Sequence, residues 1–334
     1  MPRRRRPRGK AIDERLFHGW LVRELPAGRA GLLPIGDDAA AIRPPPGKVA
    51  VLSIDSLVEG THFRPESPPG RIGAAAAAVS LSDLAAKGAT PAALLLAIIL
   101  PVGTPQAWAE AVTRGAVRSA DRFEMPLVGG DTKPGPVRAV VSSVVGWALD
   151  GALAPRTGAL PGDWIATTGT VGRGGVAAAR LGRKKRPDRR ALLEMLDVRP
   201  RVAEGAVLVR WAHAMLDTSD GLAEASRLLA DASQVRVEID EARLPLAPPL
   251  RDPTLSSTDR RRRAFYGGDY ELLLALPSRS FPAAQKAVRR VGGRLTAIGR
   301  VERGSGAWLA RAGRKRPMPP SGWRPFARRR PAMG

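Results

Sequence analysis

The chain contains no cysteine, and only 4% of its residues are aromatic. Without cysteine it can build no disulfide framework, thiolate metal site or cysteine nucleophile, and it suits a reducing, cytoplasmic setting. Long apolar runs are also missing. The longest, residues 92–101, falls well short of the roughly 18–20 residues that cross a bilayer. The Arg-rich start, residues 1–10, is followed by no apolar stretch and does not read as a secretory signal. A soluble protein is expected. No GxxxxGK[ST] sequence occurs, which excludes a P-loop.

Acidic residues are the scarcer charge: 31 Asp and Glu stand against 54 Lys and Arg, a formal charge of +23. Basic residues cluster at Arg3–Arg6, at residues 183–186, at residues 260–263 and at residues 328–330. Such patches can bind phosphates, but no aromatic residues alternate with them as a base-stacking surface would need. Runs of like charge are more often solvated loops and tails, so specific nucleic-acid binding is not expected.

Against this background the acids that cluster carry weight. Gly36-Asp37-Asp38, Ser53-Ile54-Asp55, Ser82-Asp83, Gly130-Asp131 and Asp217-Thr218-Ser219-Asp220 mostly follow apolar stretches, where a strand ends and a loop or helix begins. Any one of these Asp residues alone is better explained as a helix cap or turn former. As a set they are oxygen ligands for a hard cation, Mg²⁺ above all, which keeps some of its waters and bridges carboxylates to substrate phosphates.

A length of 334 residues allows roughly two domains. Strands are expected over residues 48–54, 94–100, 137–149, 164–168, 235–239 and 271–276. Helices are expected over residues 71–87 (closed by Gly88), 108–123, 176–181, 202–212 and 222–230. Residues 183–190 read as an exposed basic loop. Alternating elements in both halves indicate an α/β or α+β architecture. We expect a basic, disordered tail over 1–10, an N-terminal domain over 11–150 and a C-terminal domain over 151–330. Gly172-Arg173-Gly174-Gly175-Val176-Ala177 fits GxGxxA between a strand and a helix, but no acid follows at a strand end, and a Gly-rich turn opening a helix is the better reading.

In order and context the acidic segments resemble the thiamine-monophosphate kinase family. The similarity extends through residues 56–63, Leu84-Ala85-Ala86-Lys87-Gly88, Arg156-Thr157-Gly158-Ala159, Asp269-Tyr270-Glu271-Leu272 and Gly322-Trp323. It implies a two-domain aminoimidazole ribonucleotide synthetase-like fold. The N-terminal α/β domain would pair strands across a homodimer, and a C-terminal α/β domain would complete the site. It also implies ATP- and Mg²⁺-dependent phosphorylation of thiamine monophosphate. Asp38, Ser53, Ile54 (through its carbonyl), Asp55, Asp83, Asp131, Asp217 and Asp220 would hold metal, with Asp55 and Asp220 central to catalysis. Asp38 is preferred over Asp37. Gly130, Asp131, Arg156 and Ser219 would contact ATP, and His62 and Trp323 the thiamine phosphate. On residues alone, His62 is a turn-capping histidine and Trp323 a C-terminal anchor. The scarcity of histidine is no obstacle, because a phosphate acceptor is already ionised near neutrality.

Three departures stand out. Gly267-Gly268-Asp269-Tyr270 is one residue shorter than the family's Gly-Gly-Glu-Asp-Tyr, so Asp269 is either shifted or the place of an acid near the substrate is empty. Lys87 occupies a usually apolar position, four residues after Asp83, where an i,i+4 pair would compete with a metal. Arg173 stands where an acid is common. Two alternatives stay open: another ATP-using enzyme of the same superfamily, or a non-catalytic nucleic-acid- or partner-binding protein.

Overall fold

The computed structural model describes residues 11–24, 39–182 and 188–322. The tail over 1–10, Asp37, Asp38, the basic residues 183–187 and 328–330, and Trp323 lie outside the described residues. The chain divides into two compact units, Met1–Leu81 with Pro91–Trp147, and Ser82–Thr90 with Ala148–Gly334. The division passes through a helix, so residues 82–90, which include Asp83 and Lys87, fall with the second unit.

The first unit carries α1 (Glu14–Glu24), β1 (Lys48–Val58), most of α2 (Pro69–Ala86), β2 (Thr90–Leu100), α3 (Gln106–Ala120), β3 (Leu127–Pro134) and β4 (Ala139–Leu149). Its sheet has the order β1-β4-β2-β3, with β2 and β3 parallel. The alanine run of α2 brings backbones close together. A Cβ on Gly115 of α3 would stand 2.0 Å from the Gly70 carbonyl oxygen, so only glycine permits that approach. Ser142 of β4 donates to the Ala76 carbonyl and pairs with Ser80, satisfying the few polar groups in that buried layer. Along β1, Ser53, Asp55 and Leu57 share one face. Leu52 and Ile54, 68% and 67% exposed, occupy the other.

The second unit carries β5 (Trp164–Thr168), α4 (Arg173–Gly182), α5 (Arg189–Met195), α6 (Val202–Leu208), β6 (Ala214–Asp217), α7 (Leu222–Ser233), β7 (Arg236–Asp240), α8 (Ser257–Ala264), β8 (Leu272–Leu276), α9 (Phe281–Arg290), β9 (Leu295–Glu302), β10 (Gly306–Arg311) and β11 (Arg314–Pro317). Its sheet runs β11-β10-β7-β9-β5-β8-β6, antiparallel except between β7 and β10. The uninterrupted Leu272–Leu276 run is buried on both faces. Leu273 and Ala275 join Leu222, Leu229 and Phe265 in one cluster, and Leu272, Leu274 and Leu276 join Ala85, Leu208 and Val288 in the other. A central strand covered twice needs no polar alternation.

The expected elements correspond to observed ones, with ends displaced by a few residues, and Gly88 closes α2 in the left-handed conformation (φ +69°). The basic-loop expectation is corrected at Arg189 and Arg190. They open α5, with Asp188 as its N-cap accepting from the Arg190 N–H at 3.0 Å. The run at residues 260–263 lies on α8, where Arg260 donates to the Leu250 carbonyl and Arg261 pairs with Glu241 at 2.8 Å. These arginines hold the fold together rather than forming one outward patch. No helix among the described residues is long and apolar enough to cross a membrane.

Candidate active site

In the second unit the acids converge on the end of β6. The short strand delivers Asp217, and a tight turn (Gly221 N–H to the Thr218 carbonyl, 2.9 Å) carries Ser219 and Asp220 before α7 begins. Asp217 accepts from the Ser82 hydroxyl at 2.6 Å and from the Ser219 hydroxyl at 2.8 Å. Burial pushes its pKa up, the Ser82 and Ser219 hydrogen bonds oppose that, and the Asp83 charge adds to it. Asp220 is likewise raised, first by burial and then by Glu224, while Arg156 counteracts and Asp83 reinforces. In both carboxylates burial is the main cause and the Asp83 charge a lesser one.

Arg156 is exposed and placed to act electrostatically on Asp220. A guanidinium there can fork onto phosphate oxygens. Lys87 was expected to pair with Asp83. Its ammonium instead donates to the carbonyls of Ala154 (3.0 Å) and Met215 (2.9 Å), with Asp83 acting on it only as a secondary influence.

The turn of Thr218 is fixed from behind. Its N–H donates to the Glu271 carbonyl at 2.8 Å, and its hydroxyl accepts from the Glu271 N–H at 3.0 Å. The Glu271 carboxylate, 1% exposed, receives a two-pronged contact from Arg201, both arms at 2.6 Å, and a hydroxyl donation from Thr168. The sequence set Ser82 beside Asp83 but gave it no partner, and nothing local marked Arg201 as a contributor. The pairings span 70 and 135 positions, and only folding brings them together.

The glycine segment 172–175 opens α4, and two of its N–H groups are already taken. Asp269 accepts from Gly172 at 2.6 Å and Gly174 at 3.0 Å. The helix N-terminus where a dinucleotide pyrophosphate would sit therefore holds the protein's own carboxylate. Arg173 reaches Asp197 at 2.9 Å.

In the first unit, Asp55 and Ser53 lie half-buried on one face of β1, and the Ile54 side chain points to the other, consistent with a role through its carbonyl alone. Asp131 is paired with Lys133 at 2.9 Å, which holds its carboxyl below the usual range, and Lys133 also reaches Glu14. Gly130 was expected to let a nucleotide approach the backbone. A Cβ there would lie 2.0 Å from the Leu96 carbonyl oxygen, so the glycine is required by the β2–β3 pairing itself. A cavity of about 440 Å³ is lined by Phe17, His18, Ile54, Leu96, Gly130 and Asp131 among others. His62 accepts the Val58 N–H through Nδ1 at 3.1 Å, which leaves the ring proton on Nε2, and burial holds its pKa below the usual value.

No group of three Asp, Glu, His or Cys among the described residues encloses a metal on its own. Asp217 and Asp220, with the Asp83 charge acting on both, are too few to enclose a metal; a cation bound there would keep waters and take further ligands from phosphate, as Mg²⁺ does.

Comparison with known proteins bears on the same residues. A family model described as AIR synthase related protein, N-terminal domain, matches residues 36–148, and its C-terminal counterpart matches residues 161–308. The chain is 37% identical over 305 residues to thiamine-monophosphate kinase from Synechococcus elongatus, covering 82% of this chain and 88% of that one. It is 35% identical over 274 residues to the Escherichia coli K12 enzyme of the same name, covering 80% and 84%. The chain belongs to the thiamine-monophosphate kinase family. Among solved structures, the family member from Stenotrophomonas maltophilia superposes with a TM-score of 0.77 at 34% identity, covering 84% of this chain and 91% of that one. AaThiL, solved in complex with AMPPCP and TMP, gives a TM-score of 0.72 at 28% identity, covering 87% and 91%. The hydrogenase maturation protein HypE from E. coli matches at 21% identity with a TM-score of 0.74, covering 95% and 99%, a likeness of fold. The two-domain aminoimidazole ribonucleotide synthetase-like fold expected from the resemblance is borne out.

Proposed function

We propose that this chain transfers the γ-phosphoryl group of ATP to thiamine monophosphate, giving thiamine diphosphate and ADP. The reading is supported by membership of this family in a chain without a P-loop, and by Asp217 and Asp220 at the end of β6, where the Asp83 charge acts on both and Arg156 counteracts at Asp220. A related protein was solved with an ATP analogue and TMP.

A terminal oxygen of the acceptor phosphate attacks the γ-phosphorus, and the bond to the β-bridging oxygen breaks as ADP leaves. Positioning and charge neutralisation dominate such a step. The acceptor is a phosphate monoester, largely ionised near neutrality, so no general base is needed. Asp83, Asp217 and Asp220 in the second unit, and Asp38, Ser53, the Ile54 carbonyl, Asp55 and Asp131 in the first, would hold Mg²⁺, whose chemistry is to neutralise triphosphate charge and stabilise the leaving oxygen. Arg156 orients phosphate oxygens. The Ser219 hydroxyl is donated to Asp217, so Ser219 would face ATP through its oxygen lone pairs or backbone. His62, neutral with its proton on Nε2, would donate to the acceptor, and Trp323 would stack on its cationic ring. The active species is a homodimer, a reading supported by the exposed apolar pair Leu52 and Ile54 on β1. The cytoplasm, with its ATP supply, is the setting of this proposal.

The test is a product assay with ATP, Mg²⁺ and thiamine monophosphate. Thiamine diphosphate is expected, and a chelator should abolish it. Turnover that persists in chelator, or no product from thiamine monophosphate, overturns the proposal.

A further inference from the structure

At the open edge of the second unit's sheet, the segment 154–156 lies against β6. The Met215 N–H donates to the Pro155 carbonyl at 2.8 Å. A closely paired antiparallel couple would return a hydrogen bond in the other direction, but Pro155 has no N–H to give. The Met215 carbonyl receives its donor from a side chain instead: Lys87 Nζ, at 2.9 Å, which also holds the Ala154 carbonyl at 3.0 Å. One ammonium thus supplies the bond that the proline cannot, and it fastens both sides of the pairing.

The fastened groups adjoin the candidate site. Arg156 follows Pro155 directly, and Asp217 stands two residues beyond Met215 on the same strand. Lys87 itself comes just after the last turn of α2, and Ser82 on that helix donates to Asp217 at 2.6 Å. Ala154 and Met215 are fully buried among Ala85, Ala86 and Leu208. A charged side chain reaching into such surroundings loses hydration, and the Lys87 pKa is lowered to about 8, first by burial and then by Arg156. An apolar side chain would fill this space without that cost, so the ammonium is there for its donors.

We infer that Lys87 is a positioning residue for nucleotide binding, which by replacing the missing Pro155 hydrogen bond holds Arg156 in register with Asp217 and Asp220. This rests on the reading of Arg156 as a phosphate contact. Lys87 touches neither nucleotide nor acceptor. It sets where the guanidinium that does so can stand.

The experiment measures the affinity of the full chain for AMPPCP with Mg²⁺ by calorimetry, without turnover. Lys87→Met, similar in length but without donors, is expected to weaken binding about tenfold. Arg156→Ala should weaken it at least as much, and Lys87→Met added to Arg156→Ala should cost no more than Arg156→Ala alone, as a shared path requires. The discriminating variant is Lys87→Met with Pro155→Ala. The backbone N–H that alanine brings to this position can return the bond to Met215 and should restore affinity to within about threefold of wild type. A folded Lys87→Met protein that binds like wild type overturns the inference. So does a loss that Pro155→Ala fails to repair, since the lysine charge and not its clamp would then matter. If Lys87→Met does not fold, Lys87→Leu, also without donors, is held to the same loss and the same rescue. Wild-type protein that binds no AMPPCP would overturn the functional reading instead.

Discussion

The Asp269 carboxylate closes the N-terminus of α4 by accepting the Gly172 N–H at 2.6 Å, deep enough that only 4% of the residue is exposed. In the Gly-Gly-Asp-Tyr segment, one residue shorter than the family pattern, the acid that remains holds the start of α4. In the same stroke the GxGxxA motif loses its dinucleotide reading, because the N–H groups of Gly172 and Gly174 already serve this carboxylate.

Asp269 should show itself in the pH dependence of stability. Burial pushes its pKa from 3.8 up to about 7 against the two N–H donors. The folded protein then keeps a proton that the unfolded chain releases. This contribution is complete below about pH 4 and is lost as pH rises through about 7. Asp269→Asn does not titrate. The urea stability of wild type relative to this variant should fall with pH across that window by up to about 1.4 kcal/mol per pH unit, while KM for thiamine monophosphate stays within about twofold. A flat difference, or a large KM change, would place Asp269 at the substrate after all.

The ionised form of Asp220 comes at some cost to stability. Burial and the Glu224 charge both disfavour its ionised form, so Asp220→Asn should leave the melting temperature unchanged or raised. If the carboxylate holds metal, turnover should fall by at least about 100-fold, as expected for loss of a group that offsets charge in the transition state. An ADP-coupled assay beside a thermal melt measures both. Near wild-type turnover at limiting Mg²⁺ would make Asp220 a turn former.

Glu271 is buried and receives a two-pronged contact from Arg201, which also pairs with Glu204 at 3.3 Å. Removing the guanidinium leaves the Glu271 charge buried and uncompensated, so Arg201→Met should cost about 3–5 kcal/mol in urea unfolding. The double variant Arg201→Met, Glu271→Leu should cost clearly less than the two single changes added together. Simple additivity would show that the two side chains do not act as a unit.

Leu52 and Ile54 should matter for assembly. Both are exposed on one face of β1, and large apolar side chains placed together mark association surfaces. Leu52→Asp with Ile54→Asp is expected to shift the protein from dimer to monomer in sedimentation while each unit stays folded. An unchanged sedimentation profile would put the interface elsewhere.

Sequence alone determined a good deal. Apolar runs and glycine punctuation placed β1, β2, β4, β5 and β8 and the helix ending at Gly88, because local periodicity and backbone freedom are properties of short segments. The ordered acidic motifs determined the family. Tertiary structure decided what each polar side chain does, since that depends on partners remote in the chain. His62 and the Val58 N–H are four residues apart, and the turn reading could be made from sequence. Ser82 and Asp217, or Lys87 and Met215, are 135 and 128 positions apart, and no spacing rule joins them. The closeness of Gly130 to the Leu96 backbone and the capping of α4 by Asp269 are likewise visible only in the folded chain. A buried carboxylate or ammonium must find hydrogen-bond partners wherever the fold provides them, and only the completed packing of the second unit shows that these partners are Gly172 and Gly174 for Asp269, and Ala154 and Met215 for Lys87.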